Sequence, residues 1–290
     1  MITLREAIKQ AQAEKKAIGH FNISNIEILW AIFNAARKLN VPVIIGTSEG
    51  ERNFIGTRQA AVLVKSLREE FNYPIFLNAD HTYSFEKVKE AVLAGYDSII
   101  FDGTKVSIED NINQTKECIE YAKKVNPEII MEAELGFIGS SSQVLSGIPE
   151  GVKITEEFLT KPNEVVDFIK ATRVDMVAPA VGNIHGMLKG GVDPALNIQR
   201  IKEIKEAIGE TPIVLHGASG NSAEDIKAAI AAGVAIVHVN TELRVAYRQA
   251  LEQVLKDKPD EVAPYRYLII AQEAVQKVVE DKLKIFNNIV

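Results

Sequence analysis

The chain has 290 residues, of which 47% are hydrophobic and 25% charged, and its formal net charge is -6. This composition is ordinary for a globular protein, and the length allows either two average domains or one α/β barrel. The mild acidity, together with the lack of a basic block in the sequence, argues against a nucleic-acid-binding protein.

Cysteine content and hydropathy indicate where the protein works. Cys118 is the only cysteine, so no disulfide can form within the chain, which fits a reducing compartment. Residues 1–21 lack the apolar core of a signal peptide, and no apolar run approaches the ~20 residues that span a bilayer. We therefore expect a cytoplasmic protein that does not associate with membranes.

Apolar runs rich in strand-forming residues recur along the whole chain, at intervals of roughly 20 to 40 residues. The eight runs are residues 17–23, 42–48, 74–80, 98–103, 128–135, 175–182, 212–219 and 235–241. Amphipathic helical patterns separate them, as in 25–40 and 222–233. The alternation predicts an α/β protein, a single-domain (β/α)8 TIM barrel over 1–290 with a helical C-terminal extension. A doubly wound open sheet is the alternative, but no G-x-G-x-x-G turn follows the first strand.

Polar residues repeat at i and i+2 within these apolar runs. The pairs are His20 and Asn22, Asn78 and Asp80, Glu132 and Glu134, and His238 and Asn240. Residues two apart on a strand share a face, and these pairs lie toward the carboxyl ends of the predicted strands. In a barrel those ends form one mouth, where active sites are built.

Three histidines, His81, His185 and His216, lie at or just beyond predicted strand ends. Three neutral imidazoles with one open position are typical of a catalytic zinc site. Any one of them alone could be a rim histidine bonded to the main chain. Their common position, beside Asp80 and Glu134, favours a metal site, whereas His20 is expected to be a packing residue or one that supports the site without binding the metal.

The segment 215–229, "LHGASGNSAEDIKAA", predicts a strand end, a Gly-rich turn and a helix that opens with acidic residues. Main-chain N–H groups in such a turn can hold a phosphate at the helix N-terminus. Barrels frequently bind phosphate at the loops after strands seven and eight, and "HVNTEL" (238–243) follows at strand eight. An ordinary tight turn is the alternative.

Five ordered motifs now carry a family resemblance: "ADHTYSFE" (79–86), "EAELGFIG" (132–139), "NIHGMLKGG" (183–191), "LHGASG" (215–220) and "HVNTEL" (238–243). Together they resemble the class II, zinc-dependent fructose-bisphosphate and tagatose-bisphosphate aldolases over nearly the whole chain. The resemblance implies reversible cleavage of a ketose 1,6-bisphosphate, by default fructose 1,6-bisphosphate, to dihydroxyacetone phosphate and glyceraldehyde 3-phosphate. It further implies one catalytic zinc per chain, a monovalent cation, a role in glycolysis and a homodimer or homotetramer.

The resemblance also implies roles for individual residues. It makes His81, His185 and His216 the zinc ligands, and Asp80 the acid/base at the substrate's C4 hydroxyl. Two further carboxylates, Asp102 and Glu134, belong to the implied catalytic set. The implied substrate-binding residues are Asn22, Gly186, Gly217, Ala218, Ser219, His238, Asn240 and Thr241.

The sequence departs from the family pattern in the loop after strand five and at strand eight. The loop carries Ser140–Gln143 where the family has acidic residues that handle the donor C3 proton, and no nearby glutamate has supporting spacing. His238 stands where the family has asparagine and is a candidate replacement base, while Arg266 is a weak candidate for the distal phosphate.

Other functions remain open on these grounds. One is a tagatose epimer or other sugar phosphate as the substrate, and another is a sugar-phosphate-binding protein without turnover. A Schiff-base aldolase needs a desolvated interior lysine, and the predicted strands carry none.

Overall fold

The computed structural model of the protein describes residues 2–139, 142–190 and 193–289. Ten strands form in this part of the chain: β1 (Ile18–Asn22), β2 (Val43–Thr47), β3 (Ile75–Thr82), β4 (Ser98–Phe101), β5 (Ile130–Leu135), β6 (Val144–Leu145), β7 (Met176–Pro179), β8 (Met187–Leu188), β9 (Ile213–Leu215) and β10 (Val234–Val239). The described α-helices are α1 (Leu4–Ala13), α2 (Ile26–Leu39), α3 (Glu49–Ile55), α4 (Thr57–Phe71), α5 (Phe85–Ala94), α6 (Ile108–Val125), α7 (Pro162–Thr172), α8 (Ile198–Ile208), α9 (Ala223–Ala231), α10 (Thr241–Asp257) and α11 (Pro264–Asn287).

Eight of the strands close into a parallel barrel in the order β1-β10-β9-β7-β5-β4-β3-β2. Each predicted run supplies one of them, and a helix follows each strand, so the predicted (β/α)8 barrel is confirmed. The short strands β6 and β8 pair with each other outside the barrel and were not predicted. This small sheet ties the segment after β5 to the segment after β7.

Polar residues cap the first turn of several helices and fix where those helices begin. The side chains of Asn25, Ser84, Ser107 and Ser222 accept main-chain N–H groups at the starts of α2, α5, α6 and α9. A cap of this kind stabilises a helix by about 1 kcal/mol because it satisfies an N–H that has no partner within the helix. These caps place the helices at fixed points after the strands.

The floor of the barrel interior is apolar and is closed by α1. One buried cluster joins inward-facing strand residues to the apolar face of α1; its members include Ile18, Ile44, Phe76, Ile130, Met176, Val214 and Ile236 from the strands and Leu4, Ala7, Ile8 and Ala11 from the helix. Burying a side chain of this size stabilises the fold by about 1.5–3 kcal/mol. The amino ends of the strands therefore form a stable closed base.

The C-terminal helix α11 completes the outer layer. It packs against α2 and α10, and Val275, Val279, Leu283 and Phe286 are fully buried along one face. The spacing of three or four residues puts these side chains on a single stripe of the helix. The predicted helical extension is thus an integral part of the barrel wall. Among the described helices, none has the length and apolar character needed to cross a bilayer.

Candidate active site

A polar layer lies directly above the apolar floor of the barrel. Two residues beyond the floor on their strands come His20, Asn78, Glu132, His216 and His238, all buried. Asn22, Asp80 and Glu134 form the next inward positions, nearer the mouth. The i, i+2 pairs therefore share the interior face, as predicted, but their first members lie within the barrel and only the second members reach its end.

Glycine in β2 makes room for this layer. A Cβ on Gly46 would lie 2.2 Å from Cε1 of His20, closer than any real contact. The missing side chain lets the His20 imidazole reach over β2, so that Nε2 lies 3.0 Å from Asn78 Oδ1 on β3. His20 thus lies buried beside the site, bonded to Asn78.

Asp80 and His81 face the same mouth only because β3 is irregular. Neighbouring side chains on a regular strand point to opposite faces. The pairing of β3 with β4 shifts register between Ala79 and Thr82, and His81 has a left-handed backbone with φ 41°. A non-glycine residue in this conformation costs about 1–3 kcal/mol, so the surrounding structure must maintain it. As a result His81 Nε2 lies 3.7 Å from Asp80 Oδ1.

The three predicted metal ligands converge above the polar layer. One ligand atom each from His81, His185 and His216 lies within 4.8 Å of the others. His81 comes from the β3 bulge, His185 from the segment between β7 and β8, and His216 from the end of β9. The three histidines are far apart in sequence and meet because parallel strands end at one rim of the barrel.

Hydrogen bonds to the outer ring nitrogens present the three imidazoles to a common point. His81 Nδ1 lies 3.0 Å from Asp102 Oδ2, His185 Nδ1 lies 2.8 Å from the carbonyl of Gly139, and His216 Nε2 lies 2.8 Å from Glu132 Oε1. When these nitrogens carry the hydrogen, the opposite nitrogen of each ring keeps a free lone pair. His216 Nδ1 is buried without a hydrogen-bond partner. This donor set fits zinc, which prefers three imidazoles with a fourth position open.

The ionised carboxylates of Asp80 and Asp102 make the site favourable for a positive charge. Burial opposes protonation of His81, but Asp80, Asp102 and Glu134 outweigh burial and raise its pKa to about 10. Burial, reinforced by the charge of Asp102, raises the pKa of Glu134 well above its ordinary value. Glu134 Oε2 lies 3.4 Å from His81 Nδ1 and 3.7 Å from His216 Nδ1. A cation bound by the histidines would therefore be stabilised by these neighbours.

Only one of the two carboxylate oxygens of Asp80 accepts a hydrogen bond. Oδ2 accepts a hydrogen bond of 2.8 Å from Asn22 Nδ2, whereas Oδ1 is buried without a partner and lies 3.6 Å from His238 Nδ1. Burial opposes ionisation of Asp80, but protonated His81 and the other imidazoles hold its pKa well below the ordinary value. Asp80 is therefore an ionised base with one oxygen free toward the metal cluster.

His238 is sandwiched between two other imidazoles. Its ring stacks on His20 at 3.4 Å with a 2° angle between planes, and on His216 at 4.2 Å and 19°. Burial and the neighbouring His20 lower its pKa to about 3, so the ring is neutral at neutral pH. Ligand atoms of His20, Asp80 and His238 also cluster within 4.8 Å, but a metal lies in the plane of each imidazole that binds it. Two parallel rings share no such point, so this second cluster does not fit a metal.

The predicted substrate residues form the wall of the mouth, with one exception. A cavity of about 20 Å³, room for an ion or one water, is lined by Asn22, Asp80, His81, Ser142, His185, Gly186, Gly217, Ser219, His238, Asn240 and Thr241. Gly217 has φ 62°, and a Cβ there would lie 2.1 Å from the Ile184 carbonyl. Ala218 lies behind this wall, because its N–H donates to the His238 carbonyl.

A wider groove of about 340 Å³ continues from Ser142 and Thr241 along α10, past Arg244 and Arg248. Arg266, the arginine that the sequence analysis proposes for the distal phosphate, is exposed and pairs with Glu261, with 3.4 Å between Nη1 and Oε2. The groove leads out of the barrel mouth, so a substrate larger than the central cavity can extend into it. A larger cavity of about 820 Å³ lies between α4 and α5 and contains none of the clustered histidines.

The loop after β5 offers no carboxylate to the mouth within the described residues. Ser140 and Ser141 lie outside those residues, and Ser142 lines the cavity. Further along, Glu156 is engaged by Arg200 and by Asn197 Nδ2, the latter at 2.8 Å. The family-like loop acid therefore has no described counterpart.

Four functional candidates escaped the sequence reasoning. Glu51 and Arg52 on α3, Glu132 inside β5 and Arg244 on α10 all contact residues of the site. Glu132 belongs to one of the polar pairs in the sequence, but the pair pattern by itself assigns it no role. No pattern indicated the other three, because two of them lie on a short extra helix and one on a long amphipathic helix.

The fold and this site define a (β/α)8 barrel with a candidate three-histidine metal centre at the carboxyl ends of its strands. The model of the family described as "Fructose-bisphosphate aldolase class-II" matches residues 2–289. A fructose-bisphosphate aldolase of Staphylococcus aureus (strain Mu50) is 34% identical over 289 residues, covering 99% of this chain and 97% of that protein. The crystal structure of the YdjI aldolase from Escherichia coli K12 superposes with a TM-score of 0.82 at 29% identity, covering 99% and 97% of the two chains.

The chain therefore belongs to the class II fructose-bisphosphate aldolase family. It is an aldolase, a carbon–carbon lyase of carbohydrate metabolism. The family resemblance inferred from five motifs is confirmed, and it extends over the whole chain.

Proposed function

We propose that the protein is a zinc enzyme that reversibly cleaves a ketose 1,6-bisphosphate, with fructose 1,6-bisphosphate as the first candidate, to dihydroxyacetone phosphate and glyceraldehyde 3-phosphate. The observation that carries the proposal is the convergence of His81, His185 and His216 within 4.8 Å. Each ring has its other nitrogen bonded to an oxygen acceptor. The free nitrogens of such a set fit zinc and leave a fourth position for substrate.

Held by His81, His185 and His216, zinc would supply a Lewis acid for the substrate's ketone oxygen and for the negative charge that develops there as the bond breaks. Asp80 takes the proton of the C4 hydroxyl in cleavage and returns it in condensation. The free Oδ1 of its ionised carboxylate supports this role. Asp102 orients His81. Glu134 lies beside His81 and His216, and its carboxylate would balance the charge of a bound cation once that cation lowers its raised pKa.

The donor phosphate is assigned to the Gly-rich wall of the mouth. Gly217, Ser219 and Thr241 face the cavity, together with Gly186 and Asn240. Asn240 precedes α10 without a side-chain cap, so N–H groups in the first turn of that helix remain for an anion. The rest of the substrate then extends along the groove beyond Ser142.

Two alternatives share this chemistry. The tagatose epimer or another sugar phosphate would use the same metal, base and phosphate wall, and would differ only where the C4 hydroxyl and the aldehyde half lie. A sugar-phosphate-binding protein without turnover is favoured only by the absence of a loop carboxylate among the described residues. A Schiff-base mechanism lacks support, because the eight barrel strands carry no lysine.

The family also supports the wider parts of the proposal. We assign the enzyme to glycolysis and to the cytoplasm, as a homodimer or homotetramer that holds one zinc and a monovalent cation per chain. Their support is the family membership itself.

Metal removal and a ligand variant test the proposal together. Cleavage of fructose 1,6-bisphosphate and of tagatose 1,6-bisphosphate is followed in a coupled assay before chelation, after chelation and after zinc is restored. We expect chelation to abolish cleavage and zinc to restore it, and we expect H216A to lose both zinc and activity because two imidazoles do not complete the site. Full activity after exhaustive chelation would show the proposal to be wrong.

A further inference from the structure

We propose that Glu51 and Arg52, neighbours on the short helix α3, position the catalytic pair Asp80–His81. Glu51 aims the Asp80 carboxylate, and Arg52 holds the left-handed main chain that presents His81 to the metal. The inference rests on the proposed function of Asp80 and His81 and adds two residues that the reaction itself does not require.

Glu51 reaches Asp80 through a single amide. Asn22 Nδ2 donates to Glu51 Oε2 at 2.7 Å and to Asp80 Oδ2 at 2.8 Å. Glu51 Oε2 is itself fixed by the N–H of Ser48 at 2.8 Å, and the residue is buried. Because the Asn22 amide donates to both carboxylates, its own orientation is fixed. The hydrogen bond to Oδ2 in turn fixes the orientation of the Asp80 carboxylate. The other oxygen, Oδ1, is left free toward the metal cluster.

The second oxygen of Glu51 links this network to the loop at the mouth. Arg244 Nη2 pairs with Glu51 Oε1 at 2.6 Å, and Arg244 Nη1 donates to the carbonyl of Ser142 at 3.0 Å. The arginine offsets the charge of the buried carboxylate, which would otherwise be costly so close to Asp80. A continuous chain of hydrogen bonds therefore runs from the wall residue Ser142 to the base.

Arg52 acts on the main chain on both sides of His81. Its Nη1 donates to the carbonyls of Thr47 and Asp80, the latter at 3.1 Å, and its Nη2 donates to Thr82 Oγ1 at 3.0 Å. It is 3% exposed and forms no ion pair with a carboxylate among the residues described. A buried guanidinium that donates hydrogen bonds to the residues on both sides of His81 stabilises the strained conformation of His81.

The two residues therefore have separable effects. Glu51 touches the Asp80 side chain indirectly and has no contact with the histidines, so its loss should impair turnover and leave metal binding intact. Arg52 holds the main chain around His81 in place. Its loss should therefore lower the affinity for zinc, and activity should fall only to the extent that zinc is lost. A role limited to general stability would move both readouts together.

The test measures zinc affinity by competition with a chelator, and kcat and KM of the zinc-saturated protein. We expect E51Q to bind zinc within about twofold of wild type while kcat falls roughly 10- to 100-fold, as misplaced catalytic groups do. We expect R52M to lower the affinity for zinc by roughly 10- to 100-fold, as the loss of a group that orients a metal ligand does. At saturating zinc, kcat should be largely restored. R52K keeps the positive charge but loses the several N–H donors of the guanidinium, so its zinc affinity should lie between those of wild type and R52M. If R52M does not fold, the zinc affinity of R52K tests the role of Arg52.

Matched controls are E70Q and R58K, exposed residues on α4, which should match wild type in both readouts. Wild-type zinc affinity in R52M, or unchanged kcat in E51Q, would overturn the corresponding half of the proposal. A crystal structure of zinc-loaded E51Q adds a readout that does not depend on turnover, since Asp80 should have rotated away from its wild-type position. If wild type cleaves no ketose bisphosphate, the proposed function fails, while zinc affinity and Asp80 orientation still test Glu51 and Arg52.

Discussion

His216 Nε2 and Glu132 Oε1 lie 2.8 Å apart in the barrel interior, where both side chains are 1% exposed. The contact turns Nδ1 of His216 toward the other two candidate ligands, so a residue two positions before Glu134 sets the orientation of a ligand from another strand. An imidazole that binds a metal usually donates its other N–H to such an acceptor, which fixes the ring and raises its basicity.

Replacing Glu132 should therefore lower the affinity for the metal, although all three ligands remain. We expect E132Q to reduce zinc affinity by roughly 10- to 100-fold, measured by competition with a chelator of known affinity. E128Q, an exposed glutamate just before β5, is the control and should bind zinc as wild type does. Equal affinities in the two variants would mean that the carboxylate of Glu132 adds nothing to metal binding beyond what a neutral amide acceptor provides.

Asp80 should separate catalysis from metal binding. D80N keeps the shape of the side chain and the contact with Asn22 but removes the base, so cleavage should fall roughly 10²-fold or more. Zinc content should remain that of wild type, because the ligands are untouched. The comparison uses D167N, an exposed position on α7. An active D80N protein, or one that has lost its zinc, would contradict the assigned role.

Zinc binding should release protons. In the metal-free protein neighbouring carboxylates raise the pKa of His81 to about 10, so at neutral pH its imidazole is protonated and must give up a proton to bind a metal. Affinity should therefore increase by about tenfold per pH unit below that pKa for each proton released. Calorimetry at pH 7.5 in two buffers with different ionisation enthalpies measures the number directly. Identical heats in both buffers would exclude proton release.

The hypothesis that His238 replaces the missing loop base is weakened by its surroundings. Its imidazole is stacked between His20 and His216, which restricts its movement toward a bound donor. We expect H238N to exchange the C3 hydrogen of dihydroxyacetone phosphate within about tenfold of wild type, whereas loss of a general base costs roughly 10²-fold or more. Tritium release at saturating donor distinguishes the two, and a larger loss would restore His238 as the base.

The barrel and most of its mouth could be predicted from sequence because both follow from local periodicity. Alternation along a strand put His20 with Asn22 and Glu132 with Glu134 on the interior face, and parallel strands bring their carboxyl ends to one rim. His185 and His216 could therefore be grouped although they are 31 positions apart in the sequence.

Tertiary structure alone decided how the adjacent residues Asp80 and His81 come to share one mouth. Strict alternation would have sent them to opposite faces, and only the register shift of β3 and the positive φ of His81 bring them together. The residues that brace this geometry, Glu51 and Arg52, are distant in sequence and act through contacts between elements. A hydrogen bond across a barrel depends on where two chains meet in space, and neither periodicity nor composition carries that information.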